Sequence, residues 1–254
     1  MSRFVSRPLA GRTAIVTGST GEGMGRQTAW TLAREGANVV LNYGTYRRSD
    51  AAARRAVKEC EALGGQAIAV RADTRKEAEV KRLVRQAEQA FGRVDIAVAN
   101  AGGDFLERSL ESLSLAEWKR VVDAEVDGAF LLARETLPGM RRRGWGRLVF
   151  LSWDKAATYP VPPYDYAVGK VARETLAHKL ARLGEGKGIT SNVVAPGYIP
   201  YPSLTEARQV VRHGPAWTKR KRSGIQDVAE AVAWLCTEEA RFVTGATLRV
   251  WGPR

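Results

Sequence analysis

Ala14-Ile15-Val16-Thr17-Gly18-Ser19-Thr20-Gly21-Glu22-Gly23-Met24-Gly25 decides how this chain is read: three apolar residues of strand type run straight into a glycine-rich turn. Arg26 to Glu35 then carries apolar residues at helical spacing and stops at Gly36. Strand, glycine turn and helix open a βαβ unit, and the rest of the chain repeats that rhythm. Asn38 to Asn42 reads as a second strand, Ala51 to Leu63 as a helix ended by Gly64-Gly65, Ala67 to Val70 as a third strand and Lys76 to Phe91 as a helix ended by Gly92. Asp95 to Ala99 is a fourth strand, Trp118 to Met140 one long helix, Arg147 to Leu151 a fifth strand and Tyr166 to Leu183 another long helix. Ile189 to Val194 and Thr247 to Val250 complete a set of seven strands.

Strands separated by helical crossovers must run parallel, and right-handed crossovers set helices on both faces of the sheet. The fold class is therefore α/β, a doubly wound parallel seven-stranded sheet of the Rossmann type. No Pro- or Ser-rich linker divides the 254 residues, so 1–254 reads as a single domain, with ligands expected at the carboxyl ends of the strands. Hydrophobic residues make up 44 % of the chain, enough for a core without disulfides or metal. Cys60 and Cys236 stand in helix-patterned segments with no CxxC, and read as buried thiols in a reducing cytoplasm. His178 and His213 lack carboxylate or thiol partners in sequence, so no metal is expected.

The N-terminal stretch has no apolar h-region and no segment reaches the length of a membrane span, which points to a cytoplasmic protein with no membrane partner. A net charge of +13 invites a nucleic-acid reading. The placement of the charge argues against it: basic residues are spread over almost every helix, and the dense runs are only Arg141-Arg142-Arg143 and Lys219-Arg220-Lys221-Arg222. Attraction of small anionic ligands is the more economical use.

A helix N-terminus preceded by glycines offers unpaired N–H groups and a positive dipole end to a pyrophosphate. Gly18, Ser19, Gly23, Met24 and Gly25 would form that cradle, and the site is read as dinucleotide-binding. The second strand ends in Asn42-Tyr43-Gly44, with no carboxylate to repel a 2′-phosphate, and Arg26, Arg47 and Arg48 lie close in sequence. NADP(H) is favoured over NAD(H); the alternative is that Arg47 and Arg48 merely open a solvated helix. Tyr166 and Lys170, four apart on a helix, share one face.

At this point the chain resembles the short-chain dehydrogenase/reductase family over nearly its whole length. Asn100-Ala101-Gly102 is similar to the family's element beside the adenosine ribose, Asp73 to its adenine-contacting Asp, and Asn192 to Gly197, with Pro196 and Gly197, to the stretch lining the nicotinamide. The resemblance implies that Lys170 holds the nicotinamide ribose and lowers the pKa of Tyr166, which acts as acid or base on a substrate oxygen. A unit charge near 4 Å at an effective dielectric of about 20 is worth up to roughly 4 kcal/mol, about three pK units, so the physics suffices.

The departures fall at the site. The first turn has four residues, Ser19-Thr20-Gly21-Glu22, between its first two family-type glycines, where three are usual. The family's substrate-binding Ser, thirteen residues before the Tyr, corresponds to Trp153; Ser152 is one short, and Ser152, Asp154, Tyr159 or Tyr164 would supply the missing polar group. The family's Asn, seven residues after the helix-starting Trp118, corresponds to Glu125. It is read either as a site residue, relaying protons or pairing with Lys170 near a buried face of Val121, Val122 and Phe130, or as a surface Glu. Tyr201 replaces the Thr usual after Pro-Gly. The family also implies a substrate lid over about 198–224, and a homotetramer or homodimer built through the two long helices. The expected activity is reduction of a ketone, with a 3-oxoacyl group as one candidate, or oxidation of a secondary alcohol, on a small substrate that suits an anionic handle. The alternatives are a catalytically altered relative and, last, a nucleic-acid-binding or regulatory protein.

Overall fold

The computed structural model describes residues 7–44, 50–154, 163–197, 199 and 223–251. In chain order these form β1 (Thr13–Val16), α1 (Met24–Arg34), β2 (Asn38–Tyr43), α2 (Asp50–Glu61), β3 (Ala67–Arg71), α3 (Glu77–Phe91), β4 (Ile96–Ala99), α4 (Leu115–Arg143), β5 (Gly146–Leu151), α5 (Tyr164–Leu183), β6 (Ile189–Pro196), α6 (Ile225–Leu235) and β7 (Thr247–Val250). The strands make one seven-stranded sheet in the order β3-β2-β1-β4-β5-β6-β7, every pair parallel. The order reverses between β1 and β4, where Ala14, Ile15 and Val16 pair with Ile96, Ala97 and Val98. A doubly wound sheet opens its ligand crevice at such a reversal.

Both faces of the sheet are covered, and the strand pleat sorts its residues between two cores. Ala14, Val16, Val39, Leu41, Ile96, Val98, Val149 and Leu151 pack with α1, α2 and α6. Their neighbours Ile15, Val40, Ala97, Ala99, Leu148 and Phe150 pack with α3, α4 and α5. Cys60 and Cys236 are buried, and burial pushes both thiols up to about 12. Among the described residues no helix is long and apolar enough to cross a membrane.

The elements start and stop where local chemistry lets them. α4 runs farther at both ends than the apolar periodicity indicated. Ser114 and Glu117 form a reciprocal capping box at its start, and Gly144 closes it at φ 63°. α1 begins two residues earlier than expected, which places its N-terminus on Gly23. α6 had no separate assignment in the sequence reading. Phe130, expected on the buried face of α4, is 45 % exposed, whereas Val121 is buried.

Candidate active site

The glycine turn is latched to the end of β4. Gly18 sits at φ 64°, in the left-handed region that favours glycine. A Cβ on Gly25 would come within 2.5 Å of Asn100 Nδ2 and 2.6 Å of the Gly18 carbonyl oxygen, so α1 approaches this turn only because residue 25 has no side chain. Asn100 Nδ2 donates to the Thr17 carbonyl at 2.8 Å, and the Asn100 and Ala101 N–H groups donate to Thr17 Oγ1 at 2.9 and 3.0 Å. On the other side Asn42 Oδ1 accepts from the Gly18 N–H at 3.3 Å while its Nδ2 donates to the Ala72 carbonyl at 2.9 Å. Three strand ends thereby fix one turn.

The additional residue in this turn is braced from beneath. The Arg26 guanidinium donates to the Thr20 carbonyl and, at 2.7 Å, to Glu59 on α2. Arg26 is 3 % exposed and does not line the cleft, which removes it from the set of candidate 2′-phosphate ligands. Arg47 and Arg48 lie outside the described residues. Ser19 turns its hydroxyl to the Val16 carbonyl at 2.8 Å and serves the turn from within.

A cleft of 680 Å³ crosses the carboxyl ends of the strands, from Met24, Tyr43 and Asp73 on one side to Ser152, Tyr166 and Lys170 on the other. No side chain caps the N-terminus of α1, and Gly23, Met24 and Gly25 border the cleft there. This donor set fits a dinucleotide: bare backbone N–H groups for the phosphates, a polar floor at Asn100-Ala101-Gly102, and Asp73 toward the far end. Asp73 is gripped by Arg75 through both carboxylate oxygens, at 2.9 and 2.8 Å, and these bonds hold its carboxyl below the usual range. Tyr43 donates to Asp50 at 2.8 Å. Pro196 and Gly197 tie β6 to its neighbours, accepting from the Asp154 N–H and donating to the Val250 carbonyl.

At the other end, Tyr166 and Lys170 project from the first turns of α5. Lys170 Nζ lies 4.9 Å from the centre of the Tyr166 ring, donates to the Leu151 carbonyl at 3.3 Å, and stands 3.0 Å from Glu125 Oε2. Burial pushes the Lys170 ammonium down to about 8; Glu125 works against that and Arg173 adds to it. Glu125 is fully buried, so its surface alternative falls; its Oε1 accepts the Gly103 N–H at 2.9 Å. Gly169 makes room for it, since a Cβ there would meet the Glu125 Cβ at 2.6 Å. Ser152 gives its hydroxyl to Glu174, with the Lys170 carbonyl at 3.4 Å. Asp154 pairs with Arg249 at 3.1 Å. Trp153 and Phe105 pack edgewise or tilted against Tyr166, with ring centres 6.0 and 5.3 Å away. Tyr159, Tyr201, His213 and the 198–224 segment, apart from Ile199, Ser223 and Gly224, lie outside the described residues.

Two contributors escaped the sequence reading. Phe105 sits in a loop without pattern. Arg173, fully buried and 2.8 Å from Glu125, stands three residues past Lys170, where a helical wheel puts a second cation on the lysine's face.

A doubly wound sheet whose switch-point cleft joins a phosphate cradle to a tyrosine and a buried lysine defines a class, the nicotinamide-dependent oxidoreductases. Comparison with known proteins narrows it. A family model described as Enoyl-(Acyl carrier protein) reductase matches residues 18–252. Glucose 1-dehydrogenase 2 of Bacillus subtilis is 33 % identical over 97 % of this chain and 95 % of its own length. The 3-oxoacyl-(acyl-carrier-protein) reductase FabG of Staphylococcus epidermidis is 33 % identical over 95 % of this chain and 98 % of its own. A crystal structure of a dehydrogenase/reductase from Sinorhizobium meliloti superimposes with a TM-score of 0.81 at 32 % identity, covering 96 % of this chain and 95 % of that one. The chain belongs to the short-chain dehydrogenase/reductase family, and its class of chemistry is ketone reduction or alcohol oxidation.

Proposed function

We propose that the protein is an NADP(H)-dependent oxidoreductase that interconverts a small ketone and its secondary alcohol, with Tyr166 as acid/base and Lys170 as the clamp on the cofactor ribose. The observation that carries this reading is the placement of Tyr166 and Lys170 at one end of the cleft that begins at the glycine cradle. The dinucleotide, when bound, supplies or accepts the hydride. Tyr166 gives its proton to the substrate oxygen in the reductive direction and takes it back in the other. Lys170 lowers the cost of the phenolate by its charge. The aromatic pair Phe105 and Trp153 forms an apolar wall beside the Tyr166 ring, which suits an apolar substrate body. The relative named as a 3-oxoacyl-(acyl-carrier-protein) reductase makes a 3-oxoacyl thioester the first substrate to try.

The preference for NADP(H) rests on the end of β2. The residues there are Asn42, Tyr43 and Gly44, none of them a carboxylate, and the charges of Arg71 and Arg54 reach the Tyr43 hydroxyl. Asp50, hydrogen-bonded to Tyr43, opposes them, so the preference is expected to be moderate. A second reading, a relative with altered chemistry, is favoured by one observation: the Ser152 hydroxyl is engaged by Glu174 while Trp153 occupies the family's serine position.

The test is calorimetric titration with NADPH and NADH, followed by turnover on 3-oxoacyl, hydroxysteroid, sugar and enoyl thioester substrates. Tighter NADPH binding, with ketone turnover lost in Tyr166→Phe while binding persists, supports the first reading. Binding with no turnover on any of these supports the second, and absence of binding overturns both.

A further inference from the structure

Arg173 is completely buried on α5, and the chemistry proposed above gives it no task. Its guanidinium donates to backbone carbonyls from three parts of the site: Nε to Glu125 at 2.9 Å, Nη1 to Ala99 at 3.1 Å and to Leu151 at 3.0 Å, and Nη2 to Ala101 at 2.6 Å. Nη2 also stands 2.8 Å from Glu125 Oε2, the oxygen that faces Lys170 Nζ at 3.0 Å. The opposite charges at these distances join the three groups.

Each pair taken alone would damage the site. A buried carboxylate next to Lys170 cancels the positive field that lowers the Tyr166 pKa. A guanidinium next to Lys170 with no carboxylate between them drives the ammonium to release its proton. With all three present, two cations flank one anion and a single net positive charge remains, the same as an unaccompanied lysine.

We propose that Arg173 is a positioning residue which, with Glu125, forms a self-compensating charge triad that keeps Lys170 protonated and its field on Tyr166 intact. The proposal rests on the reading of Tyr166 and Lys170 as the proton-transfer pair. Among the described residues, the charged and titratable groups facing Lys170 are Glu125 from α4 and Tyr166, Arg173 and Glu174 from α5; the end of β5 presents the Leu151 carbonyl and, one residue on, the Ser152 hydroxyl, bonded to Glu174. The triad explains why a Glu occupies this position without disabling the lysine beside it.

The test is a tyrosinate absorbance titration of Arg173→Met, Glu125→Gln and the double variant, each as the difference from its Tyr166→Phe counterpart, with NADPH binding measured across pH. Arg173→Met is expected to raise the pH of Tyr166 ionisation by about one unit, because Lys170 is then left cancelled by Glu125. Glu125→Gln is expected to bind NADPH more weakly near pH 8 and to recover as the pH falls and Lys170 regains its proton. The double variant is expected to surpass both single variants, since it removes the opposed charges of Arg173 and Glu125 together and leaves the net charge around Lys170 unchanged. A double variant no better than the poorer single, or an unmoved tyrosine titration in Arg173→Met, overturns the triad and leaves Arg173 a structural tie between strand ends. Should Arg173→Met fail to fold, Glu125→Gln still decides, because pH-independent NADPH binding by that variant overturns the proposal. Failure of the proton-transfer reading looks different: turnover would survive Tyr166→Phe.

Discussion

Lys170 is buried on a helix with its ammonium aimed at a cofactor cleft, and this location makes its protonation a measurable property. A ligand that bonds the ammonium selects the charged form. NADPH affinity is therefore expected to be level below about pH 8 and to fall about tenfold per unit above it, as Lys170 loses its proton. Lys170→Met should bind more weakly and lose that limb in calorimetry; a limb that persists in the variant belongs to another group. The sign for stability is the reverse of the usual lysine case. The folded pKa is depressed below the ordinary 10.5, so the unfolded chain binds the extra proton between about 8 and 10.5, and this residue's penalty is relieved as pH rises through that window. Residue by residue, the spacing put Tyr166 and Lys170 on one helix face and their place after the fifth strand put that face at the carboxyl end of the sheet, where both line the cleft. Arg26 was misread for the opposite reason: proximity in sequence to a phosphate cradle says nothing about which way a long side chain turns, and Glu59 decided it.

At the scale of elements, the site depends on strand ends being tied to one another, and two glycine and serine positions separate cofactor binding from simple stability. Gly25→Ala forces a Cβ against Asn100 and the Gly18 carbonyl, so it is expected to abolish NADPH binding and to lower the melting temperature. Ser114→Ala removes one half of the capping box of α4, at a residue that does not line the cleft, and is expected to cost about 1 kcal/mol in denaturant unfolding while NADPH binding is unchanged. Equal loss of binding in both variants would mean that the cradle has no special dependence on Gly25. The inner strands were readable because they are buried on both faces, and the edge strands β3 and β7, only partly buried, because glycine or a helix pattern bounds them. Helix ends were less readable, since caps such as Ser114 and Gly144 lie outside the apolar period that defines the helix. The consequence for function is direct, as the two-residue shift of α1 is what brings its free N-terminus to Gly23.

For the whole molecule, the expected packing of α4 and α5 against a second copy is a claim about the surface these helices present. Phe130 on α4 and Val168 on α5 are 45 % and 47 % exposed, and Leu115 and Leu183 on the same helices are 68 % and 49 % exposed. A lone exposed phenylalanine has no special meaning, but on a helix expected to lie at a subunit boundary it is a candidate anchor. Arg134 sits over its ring at 5.4 Å, so the ring's face is engaged within the chain and its remaining edge is what a partner would cover. Tyr166 and Lys170 belong to α5, and Glu125 to α4, so an interface along these helices would hold the backbone of the proposed catalytic residues in place. Phe130→Glu places a carboxylate on the exposed side of α4. It is expected to reduce the sedimentation mass of the assembly and to make turnover depend on protein concentration, while the isolated subunit still binds NADPH through the cradle. A wild-type protein that sediments as a monomer removes this use of the helices, and an unchanged assembly in Phe130→Glu moves the interface away from Phe130, with Trp234 and Phe242, 44 % and 85 % exposed, as the next residues to replace.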